Sequence, residues 1–187
     1  MFRNCNAYTI ASESEWHGRL SGIMQQVGFR RCTRLEAAGR MDAAMSKALS
    51  FLIIHSSKSR DLISRVASAV RKSDEDHIRF MPIVVLLDAS RESEVVEFIN
   101  LGCDDIIIYP CTPQVLSKRL ELQVTTKREY FETDTYFGPD RRIPQFDKAH
   151  PDRKGGAGSF YKKIVIKRDL SGKVTRVSET EHQLEMA

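Results

Sequence analysis

Long apolar runs are missing from this chain of 187 residues. None approaches the ~20 residues that a membrane-spanning helix needs, so no membrane role is expected. Met1-Phe2-Arg3-Asn4-Cys5 leads into no apolar stretch of secretory length, and the expected location is the cytoplasm. Cysteine is scarce: Cys5, Cys32, Cys103 and Cys111 contain no Cys-x-x-Cys spacing. Small buried apolar side chains suit them better than metal or redox chemistry. A surplus of one charge is also lacking, with 29 Lys+Arg against 25 Asp+Glu for a net charge of +4. Residues 1–126 carry 16 basic against 15 acidic side chains, and residues 127–187 carry 13 against 10. Neither part has the dense basic stripe of a nucleic-acid binder, so nucleic acid is not an expected partner. What remains is a globular composition, 41% hydrophobic and 29% charged, of a length suited to one domain plus an appendage.

The apolar residues fall into alternating short runs and helical stripes. Tyr8-Thr9-Ile10 predicts a strand. Ser12 and Ser14 then offer N-caps to a helix with Trp16, Leu20, Ile23, Met24 and Val27 on one face, closing at Gly28. Arg31 to Leu35 predicts a weak strand, and Met41, Ala44, Met45, Ala48 and Leu49 recur at helical spacing. Phe51-Leu52-Ile53-Ile54 and Pro82 to Leu87 read as strands buried on both faces. Leu62, Ile63, Val66, Ala69 and Val70 form a helical stripe between them, and Asp74 to His77 a polar loop. A helix from about Arg91 to Leu101, a strand over Ile106-Ile107-Ile108 and a helix opening at Pro113 complete the series. Five such alternations predict a doubly wound α/β fold with a five-stranded parallel sheet over residues 1–126.

Beyond residue 126 the pattern changes to an extended C-terminal tail, residues 127–187. Tyr130 to Phe146 mixes aromatics with Asp, Pro and Arg, and His150 to Gly158 reads as a linker. Tyr161–Lys167 and Lys173–Val177 are candidates for a β-hairpin around Asp169-Leu170-Ser171-Gly172, which would need a surface to dock on. Tyr136-Phe137-Gly138-Pro139-Asp140-Arg141-Arg142 combines aromatics, a turn and paired arginines, residue types enriched at interface hot spots. Tyr136, Phe137, Arg141 and Arg142 are therefore candidate partner-binding residues. Tyr136 and Phe137 could instead anchor the segment on its own domain. Arg141 and Arg142 could hold a small anionic ligand.

The Pro82 strand, the Gly102-Cys103-Asp104-Asp105 to Pro110 segment and the helix ending at Val27-Gly28-Phe29 resemble the receiver domain of bacterial response regulators, over Thr9 to about Leu122. That resemblance implies the receiver, or flavodoxin-like, fold and a place in two-component signalling. In the family an acidic pair after the first strand holds Mg²⁺ and an aspartate after the third accepts the phosphoryl group. A hydroxyl after the fourth strand and a lysine after the fifth bind its oxygens. The corresponding positions here are Ala11 and Ser12, then His55, then Leu87, then Tyr109 followed by Pro110, with Asp88 adjoining. Without the carboxylates nothing anchors a hard oxygen-seeking cation. Without cation and lysine, charge on a transferring phosphoryl group goes unneutralised. Tyr109 is expected to fill the emptied pocket, with a cis bond to Pro110 as receivers often have.

Three other chemistries deserve a test. Ser12, His55 and Asp88 have the composition of a hydrolase triad, but no Gly-x-Ser-x-Gly elbow or oxyanion loop accompanies them. His55 could accept a phosphoryl group or titrate as a pH sensor. Asp104-Asp105 invites a metal, although the resemblance implies that the pair caps the turn into the last strand. The expected function is a non-enzymatic pseudo-receiver, a phosphorylation-independent adaptor without a cofactor. Its expected partner is a protein such as a histidine kinase, with room for a homodimer. The alternatives are a phosphorelay receiver that uses Mg²⁺ through shifted carboxylates (Glu13, Glu15, Asp88), and a sensor of a small anion at the arginine pair.

Overall fold

The computed structural model describes residues 1–12, 14–35, 48–134, 136–139 and 160–183. Its first layer is a parallel sheet of β1 (Asn6–Ile10), β2 (Arg31–Arg34), β3 (Ser50–His55), β4 (Ile83–Asp88) and β5 (Asp105–Tyr109), in the order β2-β1-β3-β4-β5. Alternate side chains of the central strands enter two separate cores. Ile53, Val84 and Leu86 pack with Leu20, Met24, Leu116 and Leu120, beneath α1 (Ser14–Val27) and α5 (Pro113–Thr125). Ile54, Val85 and Leu87 pack with Ile63, Val66 and Phe98 on the other face, beneath α2 (Arg60–Arg71) and α4 (Val95–Asn100). Burial on both faces explains the unbroken apolar runs.

Local signals set the helix starts. Ser59 accepts a hydrogen bond from the Leu62 amide at 3.3 Å, and Thr112 accepts one from Val115 at 3.3 Å ahead of Pro113. The polar stretch before Pro82 contains a short helix, α3 (Asp76–Arg79), not only a loop. The helix expected from Arg91 starts as a 3₁₀ turn, Ala89–Glu94, and becomes α-helical at Val95. The cause is local: the Asp88 carboxylate accepts from both the amide and the hydroxyl of Ser90, holding the chain in a tight turn. The expected stripe from Met41 to Met45 lies outside the described residues. The Tyr109–Pro110 peptide bond is cis.

The C-terminal residues form a second, antiparallel sheet. The expected hairpin is present as β8 (Phe160–Arg168) and β9 (Val174–Gln183). Asp169 shapes its turn by accepting from Ser171 and Lys173, and Gly172 has φ 91°. The hairpin is half of a larger unit. β6 (Arg128–Glu132) and β7 (Phe137–Pro139) join it in the order β7-β6-β8-β9. The Tyr130 to Phe146 stretch, which shows no helical period, thus contains the end of β6 and all of β7.

This sheet docks at the end of the parallel sheet where the strands begin. Tyr130, Ile164 and Ile166 enclose Phe80, and Phe137 stacks on Tyr130 at 5.5 Å. A Cβ at Gly138 would lie 2.7 Å from the Gly102 Cα, so both glycines are needed for β7 to lie against the turn before β5. Beside them is a buried polar knot. The fully buried Asp104 carboxylate accepts from the Ile83 amide at 2.8 Å, from Arg168 at 3.2 Å, and from Arg71 and the Tyr130 hydroxyl. Arg168 donates onward to the carbonyls of Phe80 at 2.7 Å and Gln123 at 2.9 Å. Arg71 donates to those of Arg79 at 2.8 Å and Met81 at 3.0 Å. Burial raises the Asp104 carboxyl, but Arg71, Arg168 and the Tyr130 hydrogen bond outweigh it and hold it at about 2.

Candidate functional site

The loops after β1, β3, β4 and β5 open along the opposite edge of the parallel sheet. His55 ends β3 there, only 2% exposed and registered against Leu86. Trp16, from the start of α1, lies flat on its imidazole, with ring centroids 3.8 Å apart and planes 23° from parallel. Tyr109, from the end of β5, meets both rings edge-on, 5.8 Å from His55 and 5.9 Å from Trp16. Three aromatic side chains thus pack together at the position that the resemblance equates with the acceptor. Tyr109, expected to fill the pocket, is half-buried against these two rings. Trp16 was legible only as part of a helical apolar face, because its contact with His55 depends on how α1 is set against the sheet.

The loops are also sewn to one another. The Ser57 amide donates to His55 Nδ1 at 3.1 Å, which makes Nδ1 an acceptor and leaves the ring proton on Nε2. Nε2 is buried with no hydrogen-bond partner among the described residues. The Ser12 amide donates to Ser57 Oγ at 3.2 Å, and the Asp88 amide to Ser56 Oγ at 3.0 Å. Arg91 donates to the Ser56 carbonyl while its guanidinium grips Glu94 at 2.5 and 2.6 Å. His17, which the sequence did not single out, ties α1 to β1. Its ring nitrogens lie 3.2 Å from the Thr9 hydroxyl and 3.2 Å from the Ala11 carbonyl.

Burial holds His55 below its ordinary pKa, with Asp88 opposing and Arg91 adding to the effect. The hydrogen bonds from Ser90 hold the Asp88 carboxyl below the usual carboxylate range. These arrangements bear on each candidate chemistry. Ser12 is exposed and Asp88 is committed to Ser90, so neither side chain hydrogen-bonds His55 and no triad forms. Ala11 is buried in the α1 core. Leu87 is buried in the core of the opposite face, away from His55, so it is not a pocket-lining position. Pro110 is exposed beside Tyr109.

The described residues at this edge do not fit Mg²⁺. Its described carboxylates, Glu15 and Asp88, are bound to Arg19 and Ser90, and no cluster of three His, Cys, Asp or Glu ligands occurs among the described residues. Glu13 lies outside them. The Asp104-Asp105 pair holds arginines: Asp104 as above, and Asp105 through Arg119 Nε at 2.8 Å. Its structural part, implied by the resemblance, is what the geometry shows.

The tail candidates divide. Phe137 packs on Phe80 and Tyr130, with the Arg79 guanidinium 4.3 Å from its ring centre. The Tyr136 hydroxyl donates to the Pro139 carbonyl at 3.3 Å. Both serve the chain's own fold here. Arg141 and Arg142 lie outside the described residues.

No family model matches the sequence, and no curated protein is similar to it. Solved structures do resemble the fold. The receiver domain of a sensor histidine kinase from Pseudomonas aeruginosa, with magnesium coordinated in its active site cleft, aligns with a TM-score of 0.50 at 13% identity. That alignment covers 62% of this chain and 93% of the other. The receiver domain of a signal transduction histidine kinase from Syntrophus aciditrophicus aligns with a TM-score of 0.50 at 16% identity, over 63% and 88% of the two chains. With the strand order β2-β1-β3-β4-β5 and helices on both faces, the parallel layer of this chain has the fold of a response-regulator receiver domain.

Proposed function

We propose that the protein is a pseudo-receiver, a non-enzymatic signalling adaptor that works through protein contacts and independently of phosphorylation. The observation that carries this reading is the stack of Trp16, His55 and Tyr109 at the position where receivers accept a phosphoryl group. An imidazole whose Nδ1 is engaged by Ser57, and whose face lies under an indole, presents no nucleophile to a phosphodonor. The magnesium-bearing Pseudomonas neighbour sharpens the contrast, because among the described residues no group of three His, Cys, Asp or Glu side chains is gathered to hold a cation.

The partner is a signalling protein, a histidine kinase being the class suggested by the neighbours. The contact surface is the face of the last helix and strand, where Val115 and Leu122 of α5 are exposed, at 50% and 43%. Phe137 is spent on the chain's own core and leaves that surface. No observation favours the phosphorelay reading or the small-anion reading.

Incubation of the full chain with a small phosphodonor and Mg²⁺, followed by intact-mass measurement, tests the proposal. The expected mass is unchanged. Stoichiometric, Mg²⁺-dependent addition of one phosphate at Asp88 or His55 would overturn it.

A further inference from the structure

His55 is a buried titratable side chain whose protonation is tied to the loop contacts. Only a neutral imidazole can accept the Ser57 amide; a second ring proton would set donor against donor across 3.1 Å. Ser57 is also a junction. Its hydroxyl takes the Ser12 amide, and the preceding Ser56 takes the Asp88 amide and the Arg91 guanidinium. Letting go of the Ser57 peptide therefore slackens the contacts that join the loops after β1, β3 and β4.

The charges facing the ring come from several elements. After β4, Asp88 favours an imidazolium and Arg91 disfavours it, with Glu94 engaged by Arg91. On α1, Arg19 sits 5.1 Å from the Trp16 ring centre and is balanced by Glu15. From β5, Tyr109 turns its ring against the imidazole. Burial is the largest influence and favours the neutral form.

We propose that His55 is a proton-operated latch: neutral, it holds the Ser57 amide and closes the edge; protonated, it lets go and loosens the loops after β1, β3 and β4. This inference rests on the pseudo-receiver reading of that edge and supplies its regulation. The sign follows from the direction of the shift. The folded chain holds His55 below its ordinary 6.5, so the latch contributes fully above 6.5. That contribution is lost as pH falls through the lowered value.

Trp16 is the single tryptophan of the chain and stacks on the latch, so its emission reports the state of His55. The test is a pH titration of emission, with Ser57 amide exchange followed by NMR, on the full chain and on His55→Gln. Glutamine keeps an acceptor for the Ser57 amide but does not titrate. The expected result is a transition with a midpoint below 6.5, accompanied by a loss of Ser57 amide protection relative to the intrinsic exchange rate at each pH, and absent in His55→Gln. A flat emission, the same transition in His55→Gln, or Ser57 protection that does not change through the transition would each overturn the latch. Asp88→Asn is the second variant, should His55→Gln not fold. It removes a charge that favours the imidazolium, so the midpoint should move lower; a fixed or higher midpoint counts against the latch. Phosphate incorporation would remove the adaptor reading and leave the titration in place. A pH-insensitive emission would remove only the latch.

Discussion

Asp104 is the residue on which most of the buried polar structure converges. It has no access to solvent and answers two arginines, a tyrosine hydroxyl and a backbone amide. Replacing it by asparagine leaves Arg71 and Arg168 without a counter-charge. A loss of about 3–5 kcal/mol is expected for breaking one side of such a buried pair, measurable by urea unfolding. The pH dependence has a definite sign. The folded value of about 2 lies below the 3.8 of a free aspartate. The stabilisation is therefore complete above 3.8 and disappears as pH falls through about 2, an effect of about 2 kcal/mol. The gap in stability between the native chain and Asp104→Asn should narrow by about 2 kcal/mol over that range. Tyr130→Phe removes one donor to the same carboxylate and should cost about 1–3 kcal/mol.

At the scale of elements, glycines separate docking from simple helix propensity. Gly102 has φ 83°, and a Cβ there would lie 2.8 Å from the Phe137 carbonyl oxygen. Gly18 stands in α1 with nothing within 4 Å of an added Cβ. Gly18→Ala is expected to stabilise by about 0.5–1 kcal/mol through helix propensity. Gly102→Ala is expected to destabilise by more than about 1 kcal/mol, because both backbone and space forbid it. Thermal unfolding of the two variants side by side checks both signs.

The elements themselves were largely legible, because burial on both faces writes strands such as Ile83–Asp88 as apolar runs and Pro113 marks a helix start. The β8–β9 turn was legible from Asp169 to Gly172 for the same local reasons. The 3₁₀ start at Ala89 was not, since it depends on which way the Asp88 carboxylate turns. Nor was the pairing of β6 with β8, where Tyr130 meets Ile164 across 34 positions of sequence. His55, the position that the resemblance equates with the acceptor, could be counted along the chain. Its stacking partner Trp16 could not, because only the packing of α1 on the sheet brings them together.

On the scale of the whole molecule, the second sheet closes one end of the parallel sheet and leaves the other end to the aromatic stack. Truncation after residue 126 would expose Phe80 and take Arg168 and Tyr130 from Asp104. Such a fragment should unfold less cooperatively and bind a hydrophobic dye that the full chain does not, as calorimetry and dye fluorescence would show.

The closed state of the His55 edge is the central claim, and the ring protons of His55 report it most directly. Under a stacked indole 3.8 Å away they should be shifted strongly upfield in the NMR spectrum of the full chain. That shift should vanish in Trp16→Ala and stay fixed when Mg²⁺ and a phosphodonor are added. Ring protons at ordinary histidine positions, or a saturable Mg²⁺-dependent movement, would contradict a closed edge.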